Sequence, residues 1–382
     1  MSEKIPINLQ IFKWARTSLG LSVEEVAHKM NKSANIITEW EDGTSTITYS
    51  QLEKLAYDIY KRPIAVFFFP KIPEEDTPQA DFRTLPNMLI KELPPEIIKL
   101  YRKAKVFQLN LEELYNGELP VQKKIIDFYS LDNLKNIQTV ATNIREDLDI
   151  NLETQIRWKD LEKAYNKWRD SLELNGIFIF NDAFRNDYYS GFCIYHNKYP
   201  IIYVNNSMPT SRQIFTLFHE LAHLLFKTGG VDFRSSISYN STSHHFSNIE
   251  KLCNCFANEI LIPRNSFINN ELLINERCFN ELANKYSVSR EVILRNYFDL
   301  NLINESQYHS YANRWIEEAK NYKVNKTSGG NYYYNQKKYL GDKYVSLAFK
   351  KYYHNKISIE SLAGYLGMKV KNITTFEHYA FG

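Results

Sequence analysis

The segment His219-Glu220-Leu221-Ala222-His223 sets two imidazoles four residues apart, with a carboxylate between them. On a helix, residues i and i+4 share a face, so both rings reach a single ion. Glu220 is then placed to take a proton from a water held at that ion. Phe215, Leu217, Phe218, Leu221, Leu224 and Leu225 flank the motif and mark the helix as buried, a setting where histidine is seldom surface decoration. A catalytic zinc takes three protein ligands and leaves one position open. Three candidates for the third ligand follow the motif: His244/His245, Glu250 and Glu259. The longer HExxHxxGxxH pattern is absent, because Phe226 and Gly229 stand where its Gly and final His are needed. His244 and His245 fall in a polar loop. Glu250 opens a helix whose Asn254, Ala257 and Leu261 share its face, so its carboxylate can meet the HExxH helix with small and apolar residues behind it. Glu250 is therefore the better ligand by geometry, and a His₂Glu set favours zinc over other divalent ions.

Several elements must position these groups. Residues 176–180, 190–195 and 200–205 read as short strands, the last two joined by a turn at 196–198. A helix from 211 to about 226 follows, ended by Gly229-Gly230. A polar loop at about 231–247 leads to a second helix from 247 to 262, stopped by Pro263. Cys253 and Cys255, two apart, face different sides of that helix and form no metal clamp. Residues 94–168 are patterned as helices without recognisable chemistry.

PIIYVNN (200–206), FTLFHELAHLLF (215–226) and EKLCNCFANEILIP (250–263) together resemble the ImmA/IrrE family of metallopeptidases over about residues 176–265. The resemblance implies an α+β zincin-like core with a small sheet, with Glu250 as third zinc ligand. Asn254, Phe256, Ala257, Glu259 and Pro263 also match the family pattern, while Cys253 replaces its usual Ala. Glu259 is left with a supporting role. The implied chemistry is peptide hydrolysis, with Glu220 removing the proton of a zinc-activated water and returning it to the leaving amine. A substrate strand is expected to pair with an edge strand above the site, formed by 190–195 or 200–205. Arg234 and Tyr239 are candidate oxyanion donors, set against plain loop residues.

At the other end, residues 8–69 read as four short helices. Ser22 and Glu25 form a capping box, Ser33 caps the third helix, and Gly43 stops it. LGLSVEEVAHKMNKSANIITEWEDG resembles the helix-turn-helix core of the XRE/phage-repressor family over about residues 9–60. That resemblance places Ser33, Asn35 and Thr38 toward the groove of operator DNA and Lys32 near a phosphate. Residues 1–70 hold eight basic and eight acidic side chains. Phosphate neutralisation drives most non-specific affinity, so binding is expected to need a homodimer or help from elsewhere in the chain. FFFP, a Pro-rich acidic stretch and Asp81-Phe82-Arg83 look like the junction in chains fusing these two domains.

The C-terminal region has helix-turn-helix cadences at 282–294 and 357–367, with helices packing on the core as the plainer reading. Between 320 and 371 there are eleven lysines and two acids, a face suited to nucleic acid or an acidic partner, or simply to solvent. At 382 residues, with 44% hydrophobic and 24% charged residues, the chain is expected to be globular and multidomain, mainly α. The expected division is 1–69 DNA-binding domain, 70–150 linker and helical connector, 151–265 peptidase, and 266–382 basic helical region. No segment reads as a signal or membrane span, and the four cysteines lack disulfide spacing, so a cytoplasmic setting is expected. The leading expectation is a regulator whose zinc endopeptidase makes a limited cut in a repressor-like protein or in its own 70–80 linker. The rival expectations are a non-proteolytic sensor and an antitoxin-like repressor bound to an acidic protein.

Overall fold

The computed structural model describes residues 5–60, 62–73, 93–122, 124–131, 136–227, 230–233, 244–323 and 331–382. Most of the 70–80 linker and all of Arg234 and Tyr239 lie outside them. The chain divides into two compact units, 1–81 with 85–103, and 82–84 with 104–382. It is mainly helical, with one small sheet. No helix among the described residues is long and apolar enough to cross a membrane.

In the first unit, α1 (Leu9–Thr17), α2 (Val23–Met30), α3 (Ala34–Asp42) and α4 (Tyr49–Lys54) form a small bundle. Each start is written locally. Asn8 accepts from the backbone N–H groups of Gln10 and Ile11, and Ser22 with Glu25 forms a reciprocal capping box. Ser33 stands at the start of α3 in extended conformation without a side-chain cap bond, and Gly43 ends α3 at φ 71°. Ile11, Phe12, Val26, Ile37 and Trp40 fill the core. Arg16 grips Glu41 through two bonds of 2.6 and 2.9 Å, both side chains being buried. Arg62 is also buried, its guanidinium stacked 3.8 Å over Trp14. Two of the eight basic groups are thus internal, against one internal acid. The described surface of this bundle offers Lys13, Lys29, Lys32 and Lys54 against six exposed acids.

In the second unit the sheet contains β1 (Phe178–Asp182), β2 (Tyr189–Ile194), β3 (Ile201–Asn205) and β4 (Gly230–Phe233), in the order β1-β3-β2-β4. β1 runs parallel to β3, and the other neighbours are antiparallel. Period-two alternation sorts the side chains. Ile179, Cys193, Ile202 and Val204 join the core shared with the HExxH helix. Phe180, Phe192 and Tyr203 face the other way into an aromatic layer, where Phe107 stacks on Phe180 at 4.1 Å and Phe192 on Tyr203 at 5.1 Å.

Two expectations need correction. Strands 190–195 and 200–205 are not edges, since β2 and β3 each have neighbours on both sides. The edges are β1 and β4, and the sequence reading placed β4 inside a helix stop and polar loop. Gly230 is the first residue of that strand. The second helix also begins earlier than expected, at His244.

The unit is held by buried cations that bond backbone carbonyls. Arg169 of α9 (Leu161–Leu174; α5 to α8 are Pro95–Leu114, Ile125–Phe128, Ile137–Asp147 and Leu152–Ile156) pairs with Glu173 at 3.0 Å. It also donates to Asn181, to Ile179 O in β1, and to Lys338 O. Glycine is required at 341, where φ is 84° and a Cβ would strike that guanidinium. Breaking a buried pair by removing one partner costs about 3–5 kcal/mol, because the other charge stays behind. Arg169→Met is therefore expected to lower the denaturation midpoint sharply, with Arg169→Met/Glu173→Met recovering part of the loss. Urea unfolding of the two variants checks this, and equal destabilisation by both would contradict it.

Candidate metal centre

The HExxH segment lies in α10 (Thr210–Leu225), which packs on β2, β3, α9 and α11 (His244–Leu261). Its apolar residues surround the helix, so the histidines are buried with it, at 1% and 0% exposure. The i, i+4 spacing brings the two Nε2 atoms to 3.3 Å. Glu250, in the second turn of α11, completes the group: its Oε2 is 3.3 Å from His219 Nε2 and its Oε1 is 3.3 Å from His223 Nε2. Among the described residues, these three side chains form the one group of three or more suited to a metal ion.

One turn along α11 from Glu250, Asn254 Oδ1 lies 3.1 Å from His219 Nδ1. A proton on Nδ1 donates to that oxygen and leaves Nε2 as a lone pair aimed at the cluster, the orientation a ligating histidine requires. Burial opposes a charge on Glu250, but the adjacent His223 and His219 outweigh it and hold the carboxyl well below its usual range. Two imidazole nitrogens and an ionised carboxylate converging at these distances repel one another unless a cation joins them. The donor set fits zinc.

α11 is held at its far end as well. Arg145 donates to Ile260 O at 2.6 Å and to Gln155 at 2.8 Å. Gln155 in turn donates to Leu261 O and Tyr286 O. A cation on the C-terminal carbonyls of α11 suits the helix dipole. Residues 136–160, expected to be featureless helix, are thus part of the frame of the site.

Glu259, weighed as a third ligand, is elsewhere. Its carboxylate accepts from Arg264 N at 3.1 Å, capping α12 (Arg264–Ile268). The side chains of His244 and His245 lie outside the described residues. Cys253 is buried and Cys255 exposed, as expected of neighbours two apart. Asn205 is fully buried and latches the β1–β2 connection, accepting from Phe184 N and donating to Tyr189 O.

Glu220 follows His219 by about 100° around the helix, which turns it toward β2. It is fully buried. There the strand presents Gly191 and Cys193, small residues at alternate positions. A Cβ on Gly191 would lie 2.5 Å from Thr216 and 2.8 Å from Tyr203 O. The Cys193 thiol is pushed well above its ordinary range by burial and by the Glu220 carboxylate it is hydrogen-bonded to, so it stays protonated and donates. Sequence reasoning missed Cys193, although its i+2 spacing from Gly191 in a strand is legible.

Gly230 is the other missed residue. A Cβ there would sit 2.5 Å from His223 Cγ and Cδ2. Gly230→Ala is expected to push the His223 ring off the cluster and weaken zinc binding by about 10–100-fold, the scale seen when a ligand's supporting contact is lost. A competitive titration with a zinc chelator reads this directly. Unchanged affinity would mean that β4 gives way instead of the ring.

Lys32, Ser33, Asn35 and Thr38 are all exposed in the first unit, with Thr38 Oγ1 donating to Ala34 O. Lys32 and Ser33 stand at the turn before α3, and Asn35 and Thr38 within that helix.

Residues 173–297 match the family model of the IrrE N-terminal-like domain of M78 peptidases, and residues 12–56 match the helix-turn-helix family model. No curated protein matches the chain. The two matches join a helix-turn-helix module at the N-terminus to an IrrE-like peptidase domain.

Proposed function

We propose that the chain is a cytoplasmic transcriptional regulator that makes a limited cut in a repressor-like protein, using a zinc centre of His219, His223 and Glu250. Segment 1–69 contacts operator DNA through Lys32, Ser33, Asn35 and Thr38; segment 151–265 cuts; segment 70–150 is a linker and helical connector, and 266–382 a basic helical region. The observation that carries the reading is the convergence of Glu250 on both HExxH imidazoles, 3.3 Å from each, with an intact carboxylate at Glu220. A centre that only stabilised the fold would have no use for that extra buried acid.

Zinc, when held there, supplies Lewis acidity toward a water and a peptide carbonyl. The chain's own groups do the rest. Glu220 takes a proton on its carboxylate and hands it to the leaving amine, while the Cys193 S–H bond holds that carboxylate in one orientation. Asn254 keeps the His219 proton on Nδ1, away from the cluster. Among the described residues β4 has no strand on its outer side, so an extended substrate segment can add there by backbone pairing.

The test is a search for new N-termini after incubating zinc-loaded protein with an extract of its host, beside Glu220→Gln. Cleavage products present with the wild type and absent with the variant support the reading. Intact mass of the wild type over the same period shows whether the 70–80 linker is the substrate. Identical profiles for both proteins, with zinc bound in each, would overturn proteolysis and leave a sensor.

A further inference from the structure

The same corner recurs three times among the described residues. In the first, α2 ends at Asn31 in left-handed conformation (φ 54°), Lys32 N bonds back to Ala27 O at 2.9 Å, and Ser33 starts the next helix. In the second, α13 (Glu276–Tyr286) ends at Ser287 (φ 56°), Val288 N bonds to Ala283 O at 3.0 Å, and Ser289 caps α14 (Arg290–Asp299). In the third, α18 (Ile359–Tyr365; α15 to α17 are Glu305–Lys323, Tyr332–Leu340 and Asp342–Tyr353) leads to Gly367 (φ 63°). Met368 N bonds to Ala363 O at 3.0 Å, and Lys369 is extended before a 3₁₀ turn at Val370–Asn372 and α19 (Ile373–Phe381). The buried positions coincide too: Val26, Ala27 and Met30; Leu282, Ala283 and Tyr286; Leu362, Ala363 and Leu366. Each is a helix-turn-helix, and what stands at the four outward positions decides what each can do.

The first presents Lys32, Ser33, Asn35 and Thr38, all exposed. The second presents Val288 and Leu294, both buried, and the acidic Glu291. Its second helix is joined to α11 through Asn296 and Asn258 at 2.7 Å, so this corner is spent on packing. The third presents half-buried Met368 and exposed Lys369, Lys371 and Thr374. Neither lysine enters an ion pair among the described residues. Residues 331–382 expose five lysines and two acids, whereas the described surface of the N-terminal bundle exposes four lysines and six acids.

We propose that the C-terminal bundle is a second duplex-DNA-binding module, in which Lys369 and Lys371 hold backbone phosphates and Thr374 faces the groove. It supplies phosphate neutralisation beyond that of the N-terminal bundle, which buries two of its eight basic groups, because counterion release scales with the lysines a protein brings to the backbone. The third corner has the first one's shape with positive charge at the positions where the first has Ser33 and Asn35.

The experiment is fluorescence anisotropy of the full chain on a labelled mixed-sequence duplex across a salt series. Lys369→Gln/Lys371→Gln is compared with Lys369→Arg/Lys371→Arg. The Gln pair is expected to weaken binding about tenfold and to reduce the slope of log affinity against log salt by about 1.8, or about 0.9 per phosphate contact. The Arg pair keeps both. Zinc content and melting temperature, unchanged in both variants, show that the exposed substitutions leave the fold intact. Two results would overturn the proposal: unchanged affinity and slope in the Gln pair, or displacement of the duplex by polyglutamate as effectively as by unlabelled duplex. The second would assign this face to an acidic protein.

Discussion

Glu220→Gln is expected to keep its zinc and lose about 10³-fold in turnover on whatever protein the wild type cuts, the range general acid–base catalysis supplies. The side chain is fully buried and lies on the β2 side of the HExxH helix, its Cγ beside Gly191. The amide fills the same volume and still accepts from the Cys193 thiol, so the cluster of His219, His223 and Glu250 stays as it is. What disappears is the carboxylate that takes up and returns the proton. Rate of product formation, measured beside metal content, separates the two properties. A loss of less than about tenfold, with zinc retained, would move the base elsewhere in the site.

Glu250→Gln is expected to act in the opposite way, on the metal first. Structural zinc sites contribute about 10–16 kcal/mol over four donors, so one donor is worth about 3 kcal/mol, or somewhat more than 10²-fold in affinity. The buried carboxylate is held ionised by both histidines, and without it the two imidazoles face a neutral amide. The variant should lose zinc on dialysis that leaves the wild type loaded. It should also lose the stabilisation that bound zinc confers, about 4 kcal/mol at a free concentration a thousand times the dissociation constant. Glu259→Gln is the control, since its carboxylate only caps the next helix. Zinc retained by Glu250→Gln and lost by Glu259→Gln would reverse the assignment of the third ligand.

Local features were legible from the chain itself because their physics is local. Two histidines four apart share a helix face wherever that helix is placed, and the apolar residues around them required burial. Ser22 with Glu25 and the φ-permissive Gly43 mark helix ends through bonds that span three or four residues. The corner at 357–367 could be read in the same way, as a cadence with a capping Ser358 and Gly367. The choice of Glu250 over Glu259 was also within reach, since the two lie nine residues apart on one helix and only one could share a face with Asn254 and Ala257.

The rest depended on contacts distant in sequence. β4 is four residues long and begins on the second of two glycines, too short to show alternation, and it becomes a strand only because β2 offers it an edge. That pairing put Gly230 against His223 and displaced 190–195 from an edge, while β1 pairing with β3 displaced 200–205. Cys193 reached Glu220 because the sheet packs on α10, and Arg145 reached the end of α11 across more than a hundred residues. Burial of Arg16 and Arg62 took two of the eight basic groups off the N-terminal surface, against one acid, which composition could not show. Residue types and spacing determined which chemistry was present. Only the tertiary structure decided which side chains meet and which charges face solvent, because both follow from how helices and strands pack and not from their order along the chain.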